Sequence, residues 1–167
     1  HSPDRRRHHL GPAGRAVRCG PSGVTTTDPV EEIAHATSVA VGTAGLLVIG
    51  PSGSGKSSLA LALMSLGARL IADDRTVLRR KDDMLWASAP DRIRGRIEAR
   101  GVGILAAEPC LSAPLRLIVD MGQTETLRLP PERWRQIAGI TLPCLHKCEG
   151  PHFHMAIWQY MKAGRIL

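Results

Sequence analysis

Residues Gly50-Pro51-Ser52-Gly53-Ser54-Gly55-Lys56-Ser57 fit the pattern G-x-x-x-x-G-K-[ST] at every fixed position. Each fixed residue type has a chemical task there. Gly50, Gly53 and Gly55 let the backbone bend until successive N–H groups point inward at phosphate oxygens. Lys56 brings a positive charge to the outer phosphates, and the Ser57 hydroxyl can ligate Mg²⁺. The whole run, with Ser58 next to it, is the expected nucleotide-phosphate cradle. Further along stand two adjacent carboxylates, Asp73 and Asp74. One aspartate beside a phosphate-bound metal is the ordinary arrangement. Two in tandem let one hold the metal while the other handles a proton.

Those groups act together only if the fold brings them to one place. Gly45-Leu46-Leu47-Val48-Ile49 reads as a buried strand leading into the loop, and Ser57–Leu66 as a helix leaving it, its N-terminus favourable to anions. Gly67 is a stop signal, and Ala68-Arg69-Leu70-Ile71-Ala72 reads as a second strand that delivers Asp73-Asp74. A strand–helix–strand unit with a right-handed crossover makes the two strands parallel, so both end on the ligand-binding edge of the sheet. Upstream, Ser38–Val41 and Gly45–Ile49 flank Gly42-Thr43-Ala44, a tight-turn signal. Pairing these strands about a centre between Gly42 and Thr43 sets His35 opposite residue 50, at the mouth of the loop and near the aspartates.

Beyond the aspartates, residues 75–80 and 84–88 read as strands joined by the turn Lys81-Asp82-Asp83. In Ile97-Glu98-Ala99-Arg100-Gly101-Val102-Gly103-Ile104-Leu105, an extended backbone points Glu98 and Arg100 the same way, and the glycines permit close approach of another group. Residues 114–120 read as a further strand, and 131–138 as a short helix after Pro130-Pro131. The stretch 152–162 fits strand and helix alike.

Composition sets the frame. A chain of 167 residues with 43 % hydrophobic and 22 % charged side chains is expected to form one soluble globular domain. No apolar run approaches the roughly 20 residues that span a bilayer. Net charge is +7, but residues 1–26 hold five Arg against one Asp, leaving only +3 for the rest. A basic segment of that kind reads as an extension rather than a nucleic-acid reader. The expected organisation is residues 1–26 outside the fold and 27–167 as the domain. Cys19, Cys110, Cys144 and Cys148 form no disulfide framework, which points to a reducing cytoplasm. Cys144, Cys148, His152 and His154 are a possible zinc quartet, set against a polar loop with partly buried thiols.

Three blocks together resemble the catalytic domain of HPr kinase/phosphorylase: the loop 50–57, Leu70-Ile-Ala-Asp-Asp-Arg75, and Glu98-Ala-Arg-Gly-Val-Gly-Ile104. His35 stands fifteen residues before the loop, as in that family, and Arg128-Leu129 resembles its later Arg-Leu pair. The resemblance spans about residues 28–160. It implies an α/β P-loop kinase domain of the HPr kinase/PEP carboxykinase-like type, with a mixed β-sheet and a Walker A helix. It also implies ATP and Mg²⁺ as cofactors and a serine of an HPr-like phosphocarrier of the phosphotransferase system as acceptor. By the resemblance Asp74 is general base, and proton donor in the reverse direction. His35 tunes it, and Asp73 supports Asp74 and the metal. Ser57, Asp73 and Glu98 are metal ligands. Lys56 and Arg128 stabilise the transferred phosphoryl group, and Arg100 supports the nucleotide site. The family commonly forms hexamers. This sequence reads as a short form like those of alphaproteobacteria, without the separate N-terminal domain and with a shortened C-terminal tail, and Ser58 stands where the family usually has Glu.

Two other readings stay open on the residues alone. A small-molecule kinase would use an arginine-rich lid, which Arg92, Arg94 and Arg96 imitate. A nucleotide-binding sensor would hold ATP without transferring phosphate.

Overall fold

The structure, a computed structural model, describes residues 31–167. The N-terminal extension expected over residues 1–26 lies outside them. Its architecture is a mixed sheet of nine strands, seven of them in the order β1 (Glu31–Ala34), β5 (Thr76–Lys81), β6 (Met84–Ser88), β9 (Ser112–Thr124), β3 (Ala44–Ile49), β2 (Ala36–Val41), β4 (Arg69–Ala72), and the other two a hairpin of β10 (Trp134–Ile137) and β11 (Ile140–Lys147) joined through β9, plus a separate two-stranded hairpin and two helices. The expected α/β class with a mixed sheet is what forms.

The centre is β3 (Ala44–Ile49) between β2 (Ala36–Val41) and β9 (Ser112–Thr124). Leu46 and Val48 face a helix-covered core shared with Leu59, Ala60 and Leu63 of α1 (Lys56–Ser65) and Ile157 of α2 (Phe153–Ala163). Leu47 faces a second core with Ile71, Leu78, Leu85, Ile118 and Cys144. Burial on both faces explains why the strand before the loop is an unbroken apolar run rather than an alternating one. Burying Leu63 alone is worth about 1.5–3 kcal/mol.

The β2–β3 hairpin has the expected register, with Ala36 opposite Ile49 and Val41 opposite Ala44. One step further, His35 stands beside Gly50. Strand β4 (Arg69–Ala72) runs antiparallel to β2, as β3 does, so β3 and β4 point the same way. They are not neighbours, because β2 lies between them. Both still end on one edge, which is the consequence that matters for the site. The β2–β4 ladder shifts register between Ser38 and Val39, an irregularity of the kind that re-aims the residues beyond it.

Strands β5 (Thr76–Lys81) and β6 (Met84–Ser88) pair across a turn in which Asp82 and Asp83 both take positive φ. Strand β1 (Glu31–Ala34), not foreseen, pairs with β5 along the outer edge. Strand β9 is longer than expected and changes partner along one side. Its first residues pair with β6, and Ile118–Thr124 pair with β11 (Ile140–Lys147). Among the described residues no helix is long and apolar enough to cross a membrane.

The helix expected over 131–138 does not form. Trp134–Ile137 is a strand, β10, paired with β11. Ala138 (φ +50°) and Gly139 (φ +80°) make a two-residue hairpin turn, which requires positive φ at both centres. The ambiguous stretch 152–162 is helical: α2 buries Ile157 and ends at Gly164, φ +77°.

Candidate active site

A cavity of about 390 Å³ opens at the edge of the sheet where β3 and β4 end. Ser52, Gly53, Gly55, Lys56, Ser57 and Ser58 line one side, and Asp73, Asp74, Glu98 and Arg100 the other. Gly50, Pro51 and Ser54 form the back of the loop instead. Gly50 cannot be replaced there, since a Cβ would lie 2.7 Å from Ser54 Oγ and its φ is +144°. Gly53 and Gly55 also take positive φ. Helix α1 begins with Gly55 as a left-handed N-cap, carries no side-chain cap and has no acidic residue in its first turn. Its N-terminal dipole is therefore left to an anion in the cavity. The Lys56 ammonium is buried and donates to the carbonyls of Gly50 (2.8 Å) and Pro51 (3.1 Å), tying the loop into a ring.

Asp73, at the end of β4, is buried and collects three donors. Ser57 Oγ donates to its Oδ1 at 2.6 Å, Thr37 Oγ1 to the same oxygen at 3.1 Å, and the Glu98 N–H to Oδ2 at 2.9 Å. Asp74 points outward and shares a 2.6 Å hydrogen bond with His35 Nε2. Its backbone is held at φ +66°, with the Arg75 N–H donating across it to the Asp73 carbonyl at 2.8 Å. A tight turn with a non-glycine residue at positive φ costs about 1–3 kcal/mol and tends to occur where function demands it. Thr37 ties the Asp73 carboxylate to the Asp74 backbone, because its Oγ1 also accepts the Asp74 N–H at 3.2 Å.

Ser57, Asp73 and Glu98 offer a hydroxyl and two carboxylates at one place. Oxygen-only donors beside a phosphate cradle suit a hard cation such as Mg²⁺. The cradle of backbone N–H groups, the helix N-terminus and Lys56 suit the phosphates of a nucleotide. The residues present thus fit both groups.

Glu98 and Arg100 arrive on β7 (Arg96–Ala99) and the turn before β8 (Gly103–Ala106). Gly101 (φ +83°) and Gly103 (φ +140°) shape that turn, and a Cβ on either would meet no protein atom within 4 Å. Arg128 sits in an exposed bend beyond β9, on the loop's edge of the sheet but outside the cavity lining. Arg92, Arg94 and Arg96 do not line the cavity either, and Arg94 pairs with Asp91 at 2.8 Å.

The zinc quartet does not assemble. Cys144 is buried in the β11 core, where desolvation pushes its thiol above the usual range, helped by the nearby Asp120 carboxylate. Cys148 stands 3.9 Å from His152 Nε2. No group of three or more His, Cys, Asp or Glu able to hold a metal is found among the described residues. The quartet fails at Cys144, which is packed into the core from within β11, while Cys148 and His152 meet after that strand has ended.

Sequence reasoning missed Thr37 and Asp120. Thr37 had a signal, lying two residues after His35 on a strand. Asp120 ends β9 opposite Ile49, the last residue before the loop.

Residues 29–111 match the model of the HPr Serine kinase C-terminal domain. The chain belongs to that family. Among its curated relatives, the HPr kinase/phosphorylase of Peptoclostridium acidaminophilum is 53 % identical over 62 residues, 36 % of this chain and 20 % of that protein. That of Bacillus cytotoxicus is 47 % identical over 72 residues, 42 % of this chain and 23 % of its own. The matched stretch thus spans about a fifth of the relatives' length. The solved HPr(Ser) kinase/phosphatase of Coxiella burnetii superposes with a TM-score of 0.66 over 78 % of this chain and 94 % of that one. At 23 % identity that likeness is one of fold. The HPr kinase C-terminal fold therefore holds over most of the described residues, including strands beyond residue 111.

Proposed function

We propose that this HPr kinase C-terminal domain is a cytoplasmic, ATP- and Mg²⁺-dependent protein-serine kinase acting on an HPr-like phosphocarrier. The carrying observation is the His35–Asp74 pair, 2.6 Å apart, at the mouth of the phosphate cradle and next to the buried Asp73–Ser57 pair. A sensor needs the cradle but has no use for a strained carboxylate with a histidine beside it.

The loop N–H groups, the helix N-terminus and Lys56 hold the nucleotide phosphates. Ser57, Asp73 and Glu98 would hold the cation, which when bound would neutralise charge on the phosphates. Asp74 accepts the proton of the acceptor hydroxyl as its oxygen attacks the terminal phosphorus. The bond from that phosphorus to the bridging oxygen breaks, and ADP leaves. His35 orients the Asp74 carboxylate and stabilises its charge. Arg128, brought in from its exposed bend, and Arg100 offset charge on the transferred group. In the reverse direction Asp74 returns the proton to serine as inorganic phosphate takes the phosphoryl group, giving pyrophosphate. The names of the relatives, HPr kinase/phosphorylase, support both directions.

Incubation with γ-labelled ATP, Mg²⁺ and purified HPr tests this. Serine labelling that falls by about 10²–10⁴-fold in Asp74→Asn is expected for loss of a general base. Nucleotide binding with no label on HPr would move the reading to a sensor, and label on small metabolites alone to a small-molecule kinase.

A further inference from the structure

We infer that Asp120 is a positioning residue for the phosphate-binding loop, held in place by Arg135 from the β10–β11 hairpin; this rests on the loop being a nucleotide site. Asp120 is only 7 % exposed, which is unusual for a carboxylate and calls for a full set of partners. Its Oδ1 accepts the Gly122 N–H at 2.9 Å, and its Oδ2 accepts Arg135 Nη1 at 3.2 Å. These two bonds hold residues 120–122 of β9 at the end of the register with β3, where Asp120 stands opposite Ile49, and at the irregularity in the β9–β11 pairing, where the partners pass from Asp120–His146 to Thr124–Lys147.

This end of β9 packs against the loop from behind. A Cβ on Gly122 would lie 3.2 Å from Pro51 Cδ, and a Cβ on Gly50 would lie 3.1 Å from the Gly122 nitrogen and from Met121 Cβ. A Cβ on Gly55 would lie 3.4 Å from Met121 Cε. Residues 121 and 122 therefore touch the loop at both ends, Gly50–Pro51 and Gly55. Lys56 ties the loop from inside through the Gly50 and Pro51 carbonyls. With Lys56 drawn toward phosphate, the inside tie slackens and the brace at Asp120 remains. Asp120 does not line the cavity, and its side-chain partners are the Gly122 N–H and Arg135. It acts by keeping the loop N–H groups aimed before the nucleotide arrives, so that binding does not pay for ordering them.

Binding of fluorescent methylanthraniloyl-ADP with Mg²⁺ to the full chain tests the inference, together with amide hydrogen exchange of the ligand-free protein. Asp120→Ala removes both bonds and is expected to weaken binding on the order of tenfold, with faster exchange confined to residues 50–57. Arg135→Gln and Asp120→Asn should weaken binding less, and Arg135→Lys, which keeps the charge, should lie nearest the parent protein. A purely structural role would lower thermal stability and speed exchange along β9 while leaving the affinity of the folded protein unchanged, and that result would overturn the inference. If Asp120→Ala does not fold, parent-like affinity in both Asp120→Asn and Arg135→Gln overturns it equally. Failure of the parent protein to bind the probe would overturn the nucleotide reading and the brace with it, whereas equal binding by parent and variants removes the brace alone.

Discussion

Asp73 and Asp74 are adjacent and chemically identical, yet the fold gives them opposite environments. Asp73 is buried under three donors and is committed to Ser57, Thr37 and the Glu98 amide, while Asp74 faces solvent with His35 as its partner. The division of labour proposed for them, metal for Asp73 and proton for Asp74, would follow from one backbone reversal at Asp74. Because that reversal needs φ +66°, Asp74→Gly should stabilise the protein by up to about 1 kcal/mol in chemical denaturation while abolishing serine phosphorylation. Thr37 is the hinge between the two. Thr37→Val keeps the shape but strips a donor from Asp73 and leaves the Asp74 N–H without its acceptor, for an expected loss of about 1–3 kcal/mol. Phosphoryl transfer should slow in the same variant, measurable as a fall in kcat. The tandem aspartates were legible in the sequence because their types and neighbours suffice to suggest the chemistry. Which oxygen meets which donor was not, since that depends on side chains from strands far apart in the chain.

Elements position these residues through two kinds of signal, and the sequence reveals them unequally. The β2–β3 hairpin and the strand–loop–helix unit are local, so periodicity and glycine placement sufficed to place His35 beside Gly50. The β10–β11 hairpin is equally local but was hidden, because Pro130-Pro131 resembles a helix start and the turn pair Ala138-Gly139 lacks the usual Asn or Asp. Gly139→Ala probes that turn. With φ +80° and Arg80 Nη1 2.6 Å from the added Cβ, it should cost about 1–2 kcal/mol in equilibrium unfolding. The exposed arginine tip can move aside, so backbone conformation sets most of that figure.

Across the whole molecule, the segment that carries Arg128 is pinned at its base. Glu125, nearly buried at its side chain, accepts Arg133 Nε at 2.9 Å and Nη2 at 3.0 Å, along with the N–H groups of Thr126 and Leu127. The Arg133 bonds hold the Glu125 carboxyl below the usual glutamate range, and Arg133 is in turn pushed up by Glu125. The folded state therefore binds this proton less readily than the unfolded chain does. Stability from the pair is present above the unfolded glutamate value of about 4.3 and is lost as pH falls through the lower folded value. The denaturation midpoint of the parent protein should exceed that of Glu125→Gln at pH 7, with the gap closing below about pH 4. A gap that persists unchanged at pH 3 would place the contribution in packing rather than in charge.

By itself the sequence determined the phosphate cradle, the aspartate pair, the neighbouring histidine and the α/β class, because each rests on residue type and short-range spacing. Only the tertiary structure decided that β2 separates β3 from β4, that Thr37 joins the Asp73 carboxylate to the Asp74 backbone and that Asp120 stands behind the loop. It also buried Cys144 in the β11 core and left Cys148 beside His152 outside it. Those outcomes depend on which distant strands pair and in what register. Pairing is set by burial on both faces of the sheet, a property of the whole chain rather than of any one segment.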